Sequence, residues 1–358
     1  MAEYEVPFGP VHPASSNFSV MLKVDGERVV SARANPGYLH RGFEKLMEYR
    51  TPVQNAVLSD RLCILEPLAW NLVHAETVDQ LREVEIPEKA KYVRVLLTEL
   101  SRIQSHIIWY GALCMGLGFG TGFQLAFGYR DYILDIFEMI TGGRVYPAGY
   151  ICPGGVRKDL PDGIATKIIE VLDKIDGLLR RLENPAMEAR LRGVGVLSLE
   201  DAVRLGATGP VLRASGMQAD VRKDDPYEVY DRFDFEVPTE KEGDAYSRYL
   251  VGMREIEQSM EIVRQVLEMP DTNLDPINPK GADKIPAGEV YVRNEIARGE
   301  AAMYMLSDGT NKPYRCKVRG PSLLHAITVL EHLLQDCQVA DVPAIYWSLN
   351  PCPADMDR

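Results

Sequence analysis

The stretch Ile86–Gly111, "IPEKAKYVRVLLTELSRIQSHIIWYG", decides the fold. Val93, Leu96, Leu97, Leu100, Ile103 and Ile107 recur at steps of three and four, which predicts a helix over 88–110 with an apolar stripe wide enough to face a core. The same period runs through the surrounding chain from about 43 to 142. A second long helix is predicted in "GYRDYILDIFEMITGG" (128–143), where Gly142 and Gly143 suit the C-cap. Further helical patterns cover 161–191 and 243–268. The fold class is therefore mainly α, a large helical bundle.

Smaller β elements are predicted at both ends. Near the N-terminus, "FSVMLKV" (18–24) and "RVVSARA" (28–34) alternate around Asp25-Gly26, a strong hairpin signal. The Pro- and Gly-rich "YPAGYICPGGVRKDLPDG" (146–163) reads as a loop, and 192–242 has no helical period. Towards the C-terminus "VYVRNEIARGEAAMYMLSDG" (290–309) and "PYRCKVR" (313–319) alternate like strands. "PSLLHAITVLEHLLQ" (321–335) reads as a helix, and "PAIYWSLN" (343–350) as an extended lead into the final motif. The predicted organisation is an N-terminal β region at 1–42 and a helical bundle core at 43–358, with an irregular segment at 192–242 and small β elements at 286–358.

Composition narrows the function. With 46% hydrophobic and 26% charged residues in 358, the chain reads as globular. A net charge of −12 disfavours nucleic acid, whose phosphates need clustered Lys and Arg. The opening "MAEYEVPFGP" has neither the basic nor the apolar region of an export signal, and no apolar run is long enough to span a bilayer. The six cysteines are scattered, unlike a secreted disulfide framework, so a reducing cytoplasm is expected. "LGFGTG" (117–122) lacks the strand-to-helix setting of a dinucleotide fingerprint, and no NAD site is expected.

Two short motifs carry the chemistry. "SDRLCILEPLAWNLVHAE" (59–76) holds Cys63 and Glu66, and "NPCPADMDR" (350–358) repeats the spacing with Cys352 and Asp355. Alone, Cys63 reads as a buried core cysteine with an incidental acid; the matching pair at the far end favours a site. Helical spacing would align Cys63, Glu66, Trp70 and His74, although Pro67 argues that the helix begins there and leaves Cys63 and Glu66 on the turn before it.

These pairs resemble the two Cys-x-x-Cys motifs of the nickel–iron hydrogenase large subunit. The likeness extends through "GPVHPASS", "GYLHRGFEKLMEYR", "YICPGGVRKDLP", "ATGPVLRASGMQADVRKDDPYEVYDRFDFEVP", "ARGEAAMYMLSDGTNKPYRCKVRGPS" and "VADVPAIYWSLNPCPADMDR". Together they resemble the branch shared by group 4 hydrogenases and the 49-kDa-type subunit of respiratory complex I. The resemblance implies a hydrogenase large-subunit-like fold. It also implies a peripheral place on the cytoplasmic side of a membrane complex, beside a small subunit carrying a [4Fe-4S] cluster and, beyond it, antiporter-like membrane subunits.

Within that superfamily the residues separate three chemistries. An intact nickel–iron centre needs four soft thiolates, and Glu66 and Asp355 stand where the family has its bridging cysteines. The histidine, tyrosine and aspartate of the complex I quinone site correspond to Ser16, His74 and Gly116, so no quinone site is expected. The third class, the large subunit of archaeal membrane-bound sulfane sulfur reductases, fits both departures. It implies electrons from ferredoxin, reduction of polysulfide, and coupling to ion translocation. On this resemblance Cys63, Cys352, Glu66 and Asp355 are the candidate catalytic residues. They are also the only candidate metal ligands, should the subunit be an altered hydrogenase rather than a sulfur reductase or a scaffold. His12 and His74 are assigned to the substrate cavity or proton transfer, and His40 and Arg41 to the neighbourhood of the partner's cluster. His106 reads as a packing residue with a satisfied nitrogen.

Overall fold

The computed structural model describes residues 3–12, 14–182, 185–268, 274 and 284–358. An N-terminal antiparallel sheet comes first, with strands β1 (Tyr4–Phe8), β2 (Ser19–Asp25) and β3 (Arg28–Asn35) in that order. Asp25 pairs with Arg28, so the expected hairpin turns at Gly26 and Glu27, one residue beyond Asp25-Gly26, with Gly26 at a φ of 62°. β1 is a third strand beyond the two expected.

Five helices follow: α1 (Phe43–Glu48), α2 (Pro52–Ser59), α3 (Pro67–Arg82), α4 (Glu88–Gly116) and α5 (Gly120–Thr141). "LGFGTG" lies at the α4–α5 junction, with no strand before it. The Pro- and Gly-rich loop carries the two-residue strands β4 (Ile151–Cys152) and β5 (Gly155–Val156), and α6 spans Ile164–Leu182. The second helical stretch expected over 243–268 is Ala245–Val266. In 192–242, three short helices (Leu199–Arg204, Gly209–Arg213, Val221–Asp224) and a 3-10 turn at Tyr230–Arg232 break up the segment expected to be irregular.

The C-terminal sheet consists of β6 (Gly288–Ile296), β7 (Gly299–Ser307) and β8 (Arg315–Arg319). The strand-like run 290–309 is a hairpin, turning at Ala297-Arg298. The segment 343–350 corrects the extended reading: Val342–Ser348 is a helix with proline in its first turn. Its β-branched and aromatic residues suggested a strand, but tertiary packing decides: Tyr346 is buried and stacks on Phe18 at 5.4 Å.

α4 is the central post of the bundle, packed against α5 and the Ala245–Val266 helix. Two glycines allow the close approach. A Cβ at Gly111 would lie 3.0 Å from that of Ala126, and one at Gly252 would lie 2.2 Å from Cζ3 of Trp109. α4 is also buried on its polar side, since Arg94, Glu99, Arg102 and His106 are all 0% exposed. Each charge is answered, within α4 or from a neighbouring element. Arg94 binds Asp79 and Glu228, and Arg102 and Arg222 both bind Glu99, while His106 meets Glu255 at 2.8 Å. His106 is thereby fixed by one nitrogen, in the packing role its position suggested.

Gly252→Ala is expected to lower stability by about 1–3 kcal/mol, the usual cost of overpacking a tight core contact. Chemical denaturation of the variant beside the parent chain checks this, and an unchanged midpoint would mean that Trp109 has room to move.

Candidate functional site

The motifs from the two ends of the chain close on each other. The Cys63 thiol donates to the Cys352 sulfur across 3.2 Å, and the two residues are 0% and 1% exposed. α3 begins at Pro67, which leaves Cys63 and Glu66 on the entering turn. Cys352 stands just before Pro353, where the last helix, Pro353–Asp357, begins. The Cys352 amide donates to Ser322 Oγ at 3.1 Å.

Only one sulfur of the pair is set up as an anion. The hydrogen bond from Cys63 brings the Cys352 thiol down to about 6 against the effect of burial, with the Arg298 guanidinium and the Ala354 and Asp355 amides acting in the same direction. Burial, with Cys352 beside it, pushes Cys63 well up. The hydrogen bond thus favours a single proton shared by the pair, with Cys63 as its donor. Asp355 completes the cluster, its ligating oxygen and the two sulfurs all within 4.8 Å of one another. Burial and the adjacent Cys352 push its carboxyl well above the usual range.

Arg298 is the residue that sequence reading missed. Hairpin tips usually face solvent, yet Ala297 and Arg298 are 0% and 1% exposed. Both motifs grip this turn. The Ala297 amide donates to the Glu66 carboxylate at 3.0 and 2.9 Å, and Asn350 Nδ2 donates to the Ala297 carbonyl at 3.3 Å. Arg298 Nη1 donates to Ser105 Oγ at 2.9 Å and to Glu66 at 3.3 Å. Its Nε and Nη2 have no partner among the described residues, and the titratable groups within its electrostatic reach are Cys63, Cys352, Glu66 and Asp355. The available signal was an Arg-Gly step inside a run otherwise patterned as strand.

Glu66 therefore departs from its expected place among the reacting groups. It is absent from the converging cluster and holds the Ala297-Arg298 turn instead, with its carboxyl pushed up to about 7 by burial despite Arg102 and Arg298. His74 likewise faces elsewhere. Its Nε2 lies 2.9 Å from the Pro52 carbonyl, and burial lowers it to about 4, so it is neutral and ties α3 to α2. His12 is exposed, its Nδ1 accepting from the Ala14 amide at 3.1 Å and its ring lying on Phe8. Its loop reaches the site indirectly: Tyr346, whose hydroxyl donates to the Ser15 carbonyl at 3.0 Å, is close enough to feel the Cys352 charge. His40 and Arg41 sit against the last helix, His40 Nδ1 at 2.7 Å from the Asp357 carbonyl and Arg41 Nη2 donating to the Ala354 carbonyl at 3.2 Å. Arg41 is within electrostatic reach of both sulfurs and of Tyr146, over whose ring Arg61 lies at 4.7 Å.

A hydrogenase-type nickel–iron centre does not fit this donor set. Two sulfurs and one hard oxygen converge where four thiolates are needed, and the fourth candidate, Glu66, is committed to a backbone amide. Gly116 has no room for the acid of a quinone site either, since its Cβ would lie 2.5 Å from Cδ1 of Trp347.

The profile of the family described as "Respiratory-chain NADH dehydrogenase, 49 Kd subunit" matches residues 116–282 and 277–358. The chain belongs to this family. Residues 41–117 match the family described as "Nickel-dependent hydrogenase". An NADH-quinone oxidoreductase subunit of Thermosipho melanesiensis is 43% identical over the whole of both chains. An F(420)H(2) dehydrogenase subunit of Methanosarcina mazei is 40% identical over 99% of this chain and 98% of that one. A solved chain of the membrane-bound sulfane sulfur reductase, an archaeal respiratory membrane complex, superposes with a TM-score of 0.93 at 43% identity, covering 99% and 98% of the two chains. This 49-kDa-type chain is accordingly an oxidoreductase subunit of a respiratory membrane complex of the complex I and group 4 hydrogenase type. Among the described residues no helix is long and apolar enough to cross a membrane.

In the reduced protein one thiolate is expected to appear, by absorbance at 240 nm, with a midpoint near 6. Burial holds Cys114 and Cys152 up at about 11, and Cys316 and Cys337 at about 12, so they do not contribute in that range. Arg298→Met removes a positive charge beside the thiolate and should move the midpoint upward. An absorbance that stays flat to pH 9 in the parent chain would contradict the assignment.

Proposed function

We propose that this subunit reduces sulfane sulfur, such as polysulfide, at the buried Cys63–Cys352 pair as part of a ferredoxin-linked, ion-translocating membrane complex. The observation that carries the reading is the cysteine pair itself, a thiol and a thiolate 3.2 Å apart facing a buried guanidinium that keeps two N–H groups unused. A thiolate exchanges readily with a sulfur–sulfur bond, and a guanidinium with free donors binds and stabilises an anionic sulfur chain. Asp355, in the same cluster and with its carboxyl pushed up, is placed to supply the proton that restores the Cys63 thiol on re-reduction.

Electrons arrive one at a time from a [4Fe-4S] cluster in a neighbouring small subunit. Arg41 and Arg61, both at least partly exposed, put positive charge on the face leading to the sulfurs. That charge favours a reduced cluster and draws in anionic substrate. The complex would place this subunit on the cytoplasmic side of the membrane. Glu66 acts here as a positioning residue: it fixes the turn that aims Arg298.

In the assembled complex, replacing both Cys63 and Cys352 by Ala should abolish ferredoxin-dependent sulfide release from polysulfide. Arg298→Met should lower kcat/KM by about 10²–10³, the usual loss on removing a preorganised donor. Undiminished polysulfide reduction in the double variant would reject a catalytic role for the pair.

A further inference from the structure

Resting on that reading, we infer that Cys63 and Cys352 act as a redox dithiol, passing through a Cys63–Cys352 disulfide in each turnover. The two residues are 289 positions apart in sequence, yet their sulfurs are 3.2 Å apart. A disulfide needs about 2.05 Å, so an approach of about 1 Å closes the bond. No other cysteine of the chain is placed to compete, since Cys114, Cys152, Cys316 and Cys337 make no such contact among the described residues.

The roles divide by position. Cys352 accepts the hydrogen bond from Cys63 and is the attacking sulfur, with Arg298 within electrostatic reach of both sulfurs. Its thiolate forms a bond to a sulfane sulfur of the polysulfide, and the donor's sulfur–sulfur bond breaks, its electron pair leaving with the shortened chain. Cys352 now carries a persulfide whose outer sulfur is anionic and lies against Arg298. Cys63 then attacks Cys352 Sγ, and the persulfide bond breaks. The outer sulfur leaves with the electron pair and takes the Cys63 proton, departing as hydrosulfide. Two cysteine sulfurs have been oxidised to a disulfide, and one sulfane sulfur has been reduced by two electrons. Two electrons from the one-electron iron–sulfur donor and one proton restore the thiol–thiolate pair. The disulfide thus lets a one-electron carrier serve a two-electron reduction without a free sulfur radical leaving the site.

The experiment uses the intact complex under anaerobic conditions with its thiols reduced and its iron–sulfur cluster oxidised, its electron donor withheld, given one equivalent of inorganic tetrasulfide. The expected result is a burst of one sulfide per subunit, loss of two of its six titratable thiols, and a Cys63–Cys352 cross-linked peptide by mass spectrometry under non-reducing conditions. Cys63→Ser should stop one step earlier, with a persulfide on Cys352 and no burst. A wild-type burst that leaves all six thiols intact, or a persulfide on Cys352 that persists in the wild-type complex, overturns the disulfide while leaving sulfane sulfur reduction standing. No burst at all, in a complex that also fails to reduce polysulfide when its donor is supplied, overturns the function itself.

Discussion

The structure depends on how one peptide unit, Ala297, is held inside the protein. Glu66, from the first cysteine motif, accepts its N–H, and Asn350, from the last, donates to its carbonyl. Both ends of the chain therefore grip the tip of a single hairpin. That tip carries Arg298 into a region with almost no solvent, where an uncompensated charge would cost several kcal/mol. The guanidinium persists because Glu66, the cysteine pair and Asp355 face it. Once it is there, it reinforces the Cys63 hydrogen bond in holding the Cys352 thiol down, and its Nε and Nη2 stay free for another anion.

The wider fold serves the same end. Arg102 on α4 donates to the Glu295 carbonyl at 2.7 Å, two residues before the turn, and its side chain also pairs with Glu99. Arg222 and Tyr230, from the segment between residues 192 and 242, converge on Glu99, while Arg213 joins Glu295 to Glu255 on the Ala245–Val266 helix. Buried ion pairs of this kind add little net stability compared with apolar packing, but breaking one is costly. Their effect here is to allow β6, and with it the turn, a single position relative to α3 and α4.

The bundle was legible because its signal is local. The stripe from Val93 to Ile107 and the Asp25-Gly26 turn state their structure within a few residues. The extended reading of 343–350 failed because burial of Tyr346 overrides local propensity. The cysteine pair was legible only through repetition of a spacing at both ends of the chain. Arg298 was hidden for a physical reason: a strand-like run containing Arg-Gly looks the same whether its turn faces water or the core, and only the contacts of Glu66 and Asn350 separate the two. Glu66 was misplaced by the same limit, since spacing showed that it accompanies Cys63 but not which way its carboxylate points.

The central claim is that Cys63 and Cys352 handle sulfur beneath Arg298 and do not hold a nickel–iron centre. Diffraction from crystals of the complex soaked with polysulfide, recorded with X-ray fluorescence and anomalous data at the sulfur and nickel edges, tests it most directly. The account expects additional sulfur bonded to Cys352 within hydrogen-bond reach of the Arg298 guanidinium, and no stoichiometric nickel. Nickel bridging the two cysteine sulfurs would contradict it.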